Sequence, residues 1–65
     1  MEKFNSPKEA FDKLEEDGYV AEDQDAVKAA KERFATDEAH IFDLPGGKKE
    51  VRIARMIGKI TFKKK

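Results

Sequence analysis

Apolar residues in the first half of this chain recur at helical spacing, and in the second half they alternate. The first register begins at Ser6-Pro7-Lys8-Glu9, where Ser at the N-cap, Pro at the first helical position and Glu three residues past the cap form a capping box. Ala10, Phe11 and Leu14 then share one face. Gly18 supplies the left-handed residue that ends a helix, which puts Leu14 and Tyr19 at the touching positions of a Schellman cap. A helix is predicted over about residues 7–17. A second is predicted over about residues 23–36, from Val27, Ala30 and Phe34 at i, i+3 and i+7. Its first turn holds Glu22, Asp23 and Asp25 and its end holds Lys31 and Arg33, the charge order that a helix dipole favours.

After Glu38 the period changes to two. His40 to Leu44 reads as a short strand. Pro45-Gly46 suits the central pair of a type II turn, since Pro presets the first position and Gly takes the positive φ of the second. Val51 and Ile53 alternate with charged neighbours over residues 49–56, and Ile60 and Phe62 do so over 59–63. The inward positions change from odd to even between these runs, so a break is required somewhere between them. Gly58 breaks or bulges the strand, giving either a turn at Ile57-Gly58 into a third strand or one long bent strand. The expected fold is α+β. Two N-terminal helices pack on a small antiparallel sheet of two or three C-terminal strands, an ααββ(β) order in one domain of residues 1–65. The expected core is Phe11, Leu14, Tyr19, Val27, Ala30, Phe34, Phe42, Leu44, Val51, Ile53, Ile60 and Phe62, with Phe4 over its edge.

Composition narrows the class. A chain of 65 residues buries only about 60% of its unfolded surface, so it must make the most of a small core. There is no cysteine, which excludes disulfides and thiolate metal sites and fits a reducing compartment. The opening MEKFNSPKEA lacks the apolar run of a signal peptide, and no stretch approaches the ~20 apolar residues of a membrane span. The expectation is a cytoplasmic protein with no membrane contact.

Charge changes the picture most. Lys+Arg and Asp+Glu are each 14, yet residues 1–38 hold 12 acids against 6 bases, and residues 39–65 hold 8 bases against 2 acids. Two clusters follow. Glu15, Glu16, Asp17, Glu22, Asp23 and Asp25 place six carboxylates within eleven residues. Three of them sit at the end of the first helix, where the dipole disfavours anions. A solvated corner is the first reading of this cluster. Neutralisation by the basic sheet is the second, and an acidic patch for a basic partner is the third. Lys48, Lys49, Arg52, Arg55, Lys59 and Lys63 form the candidate basic surface. Protection of an edge strand explains such lysines blandly; contact with phosphates explains them functionally.

No catalytic constellation is present. The single Ser is used as a helix cap, and the single His40 has no nucleophile to serve and cannot by itself hold a metal. Asp23-Gln24-Asp25 starts like a calcium loop but lacks the required Gly. Gly46-Gly47-Lys48 lacks the spacing and the following helix of a phosphate loop. Arg55 to Phe62 partly matches the RNA-recognition strand motif, but Ile57 and Lys59 stand where aromatics would stack on bases. Two helices are too few for a helix-turn-helix domain. No enzyme activity, cofactor, metal or small-molecule substrate is expected. The favoured function is a protein-interaction module that regulates or inhibits a larger protein, or associates with itself. Small phage and mobile-element regulators share this build, an analogy of size and composition alone. The alternative is a nucleic-acid binder that uses the basic C-terminal hairpin. Its zero net charge weakens long-range attraction to a polyanion.

Overall fold

The computed structural model describes residues 2–65. The chain forms β1 (Glu2–Phe4), α1 (Pro7–Glu16), β2 (Tyr19–Ala21), α2 (Gln24–Arg33), β3 (Ala39–Leu44), a 3-10 turn (Pro45–Gly47), β4 (Lys48–Ile53) and β5 (Ile60–Lys64). The ααββ(β) order is therefore overturned. The two helices are interleaved with strands, and the sheet has five strands, all antiparallel, in the order β1-β3-β4-β5-β2.

The two unpredicted strands are the two edges. β1 pairs with β3, and β2 pairs with β5. Each has three residues, too few for a period of two to register, and pairing with a distant strand gives each its extended form. Their placement fixes the path of the helices. Five strands at about 4.8 Å spacing span roughly 19 Å. Ten helical residues reach about 15 Å. α1 must therefore run across the sheet from the β1 edge to the β2 edge, and α2 must bring the chain back toward β3.

α1 begins as its capping box predicts: the Ser6 hydroxyl oxygen accepts the Glu9 N–H at 3.3 Å. Its end differs from a full Schellman cap. Gly18, at φ 90°, donates its N–H to the Glu15 carbonyl at 3.1 Å. Tyr19 then starts β2 opposite Lys64. Asp23 caps α2, accepting the N–H groups of Asp25 and Ala26 at 3.0 and 3.2 Å. α2 stops three residues before the predicted end, because Phe34 leaves helical geometry at φ −125°, ψ 34° and a tight turn follows from Phe34 to Asp37. At the hairpin tip Gly46 has φ 81°, ψ 16°, the values of the second central position of a type II turn.

Both helices cover one face of the sheet. The core holds Ala10, Phe11 and Leu14 of α1, Val27 and Ala30 of α2, and Ala21, Ala39, Ile41, Val51, Ile53, Ile60 and Phe62 from the strands. Phe11 stacks on Phe62 with ring centroids 5.6 Å apart. Phe4, Tyr19 and Phe34 pack half-buried around this cluster. Phe42 and Leu44 do not belong to it. Ile41 lies opposite Val51, and Val51 opposite Ile60, so the even positions of β3 face away from the helices. β4 also stops at Ile53, which leaves Arg55 and Met56 in the connection that includes the required break.

Candidate interaction surfaces

The face of the sheet turned from the helices carries Lys3, His40, Phe42, Leu44, Lys48, Glu50, Arg52, Thr61 and Lys63 by register. Glu50 lies at its centre, between Phe42 and Thr61. Its side chain is 1% exposed. No helix lies over this face among the described residues, so the cover is a single layer of neighbouring side chains. The Arg52 guanidinium donates to one carboxylate oxygen of Glu50 and also lies 4.7 Å from the Phe42 ring centroid. The Lys59 ammonium stands 3.5 Å from the other oxygen, which accepts no hydrogen bond. The bond from Arg52 holds the Glu50 carboxyl below its usual pKa of 4.5, against an opposing push from burial and with help from the Lys59 charge.

The remaining predicted cations are also engaged. Lys48 pairs with Glu22 at 3.2 Å across the open face. Lys49 is on the helix side, where it donates to Asp43 at 2.5 Å and lies 5.7 Å from the Tyr19 ring centroid. That bond raises the Lys49 pKa and lowers that of Asp43. Arg55 grips one oxygen of the nearly buried Asp37 through Nε and Nη2, at 3.0 and 2.9 Å. Of the six candidates only Lys63 makes no ion pair among the described residues. The six do not form one surface: Lys49 faces the helices, Arg55 sits at the end of β4, and the other four share or border the open face. The edge-protection reading of these lysines also changes, because β4 and β5 are interior strands.

The acidic candidates gather around the β2 edge, with Glu15, Glu16 and Asp17 before it and Glu22, Asp23 and Asp25 after it. Asp17 pairs with Lys13 at 3.5 Å, Glu22 pairs with Lys48, and Asp23 caps α2. Lys64 reaches the end of α1, donating to the Asp17 carbonyl at 2.8 Å. A cation there offsets the negative end of the helix dipole, to which the three acids add.

A second surface escaped sequence reasoning. α2 and the β4–β5 connection border an open groove of about 340 Å³. Ala26, Ala29 and Ala30 of α2 line it, together with the larger apolar side chains of Phe34 and Met56. Ile57 stands at its lip and is 99% exposed. It is the one large hydrophobic side chain so exposed among the described residues. Arg33 and Arg55 flank the groove. The sequence signal was available: the change of inward parity required a break between the two runs that flank Ile57-Gly58, and an isoleucine in a break has no strand face to bury it.

Among the described residues no three His, Asp or Glu side chains gather as metal ligands, and no helix is long and apolar enough to cross a membrane. No family model matches the chain, and neither a curated protein nor a solved structure shows significant similarity to it.

Proposed function

We propose that this chain is a non-enzymatic module that attaches to a larger protein, and that it docks through the groove between α2 and the β4–β5 connection. One observation carries this reading: Ile57 is almost wholly exposed beside an apolar groove. A fully buried Ile is worth about 1.5–3 kcal/mol relative to an exposed one. Here that energy is left unused by the fold and is available to a partner. A regulator or inhibitor acting by attachment fits the absence of any catalytic grouping in the sequence. A cytoplasmic setting is part of the proposal and accords with a chain free of cysteine.

Phosphate contact has weaker support. Five of the six cations on which it would rely already have carboxylate partners. Freeing Arg52 and Lys59 would strip a covered carboxylate of its counter-charges, which costs more than releasing an exposed pair.

Site-specific photocrosslinking in cells expressing the protein tests the reading. A crosslinker placed at position 57 should trap a discrete protein adduct, and one placed at position 63 on the open face should not. Adducts from 63 alone, or nucleic acid trapped there, would contradict it.

A further inference from the structure

Resting on that reading, we infer that the groove takes an acidic amphipathic segment of the partner protein, with an apolar side chain seated beside Ile57 and a carboxylate set against Arg33. The groove is lined mainly by apolar side chains, and both charged side chains that line it are cationic. Arg33 has no ion-pair partner among the described residues. Arg55 is fixed by Asp37 through two of its nitrogens, yet its side chain remains 75% exposed. Its charge is already met by Asp37, so Arg33 is the unpaired cation at the groove among the described residues. The chemistry on offer is therefore apolar contact beside one unpaired cation, which selects an apolar anchor with an anionic flank.

A second copy of this chain fits the groove less well. In a two-fold arrangement each groove would face its own twin, and the unpaired Arg33 of each copy would meet a like charge. In a head-to-tail arrangement the acidic β2 edge would have to enter the groove. That edge has carboxylates but no exposed large apolar side chain to insert, since Ile57 is the sole such residue described.

Isothermal titration calorimetry of the intact chain with a pair of synthetic peptides tests the inference. The peptides share one amphipathic helical design of about 20 residues, beyond the ~12–15 below which isolated helices are marginal, with leucines along one face. One is flanked by Glu and the other by Lys. The Glu peptide should bind about 10-fold or more tighter at about 50 mM salt, with the gap narrowing at about 0.5 M as screening removes the charge contribution. Ile57→Ser should weaken both peptides about 10-fold, and Arg33→Glu should reverse their order. Circular dichroism confirms that each variant is folded.

Equal or tighter binding of the Lys peptide, sensitive to Ile57→Ser, would overturn the acidic assignment and leave the groove a docking site. Failure of both peptides to bind the folded protein would overturn the groove itself. A dimer in sedimentation that Ile57→Ser dissolves would make a second copy the occupant and overturn the acidic partner.

Discussion

The open face of the sheet and the groove beside α2 hold opposite lessons about what a fold leaves unspent. The open face has most of the clustered cations that mark the sequence, but the fold has used all of its candidate cations except Lys63. Arg52 and Lys59 cover Glu50, and Lys48 holds Glu22. The groove has only a modest sequence feature, an isoleucine beside a glycine, and the fold has not used it. Counting charge along the chain located where ions are rich. It did not locate where interaction energy remains available.

The sharpest contrast sets the core against the groove lip. Phe11→Ala removes a ring stacked on Phe62 in the core and should cost about 3–5 kcal/mol. Ile57→Ala should change stability by less than about 0.5 kcal/mol, as an exposed substitution does. Chemical denaturation reads both. A loss above about 1.5 kcal/mol for Ile57→Ala would mean that this side chain is packed and the comparison fails.

The next effect belongs to Glu50. Glu50→Gln keeps the shape but removes the counter-charge of Arg52 and Lys59, and should cost about 1 kcal/mol once the exposure of those cations is allowed for. The pH dependence has a definite sign. The Glu50 pKa is lowered by folding, so its stabilisation is full above about pH 4.5 and is lost as pH falls through the depressed folded value. Wild type should therefore lose stability in acid over that window, and Glu50→Gln should show a shallower loss. Parallel pH curves for the two proteins would show that the carboxylate is not held by its cations.

Smaller still are the exposed pairs. Lys48→Ala, which breaks the pair with Glu22, should cost between 0 and about 1 kcal/mol, and less at high salt. Labelled duplex and single-stranded DNA and RNA should bind no tighter than the usual non-specific range of about 10⁻⁴–10⁻⁶ M at physiological salt. Arg52→Ala combined with Arg55→Ala should leave that weak binding nearly unchanged. A tight complex with a steep salt slope, lost in the double variant, would return the function to the basic face.

Much of the local structure was legible in the sequence, and much of the long-range structure was not. Ser6-Pro7-Lys8-Glu9 set the start of α1, Asp23 marked the start of α2, and Gly46 set the hairpin, because each acts through neighbours within a few residues. The shift from odd to even inward residues placed the break between β4 and β5. β1 and β2 were missed because three residues carry no period, and their partners lie far along the chain. In β3 the pattern could be read two ways, since Ile41 faces one side and Phe42 and Leu44 the other. Only pairing with Val51 decides which side is covered. The basic surface was legible as a set of residues. Which carboxylate most would meet was not, since Asp37 and Glu22 are brought to Arg55 and Lys48 by tertiary folding; Glu50 and Arg52, two apart on one strand, are the local exception.

Chemical-shift mapping of the ¹⁵N-labelled protein with the Glu-flanked peptide tests most directly whether attachment occurs at the groove. The backbone amides of Ala26, Ala29, Ala30, Arg33, Met56 and Ile57 should shift together and saturate, while those of Phe42, Glu50, Arg52 and Lys63 stay in place. Shifts confined to the open face, with the groove amides unmoved, would contradict it.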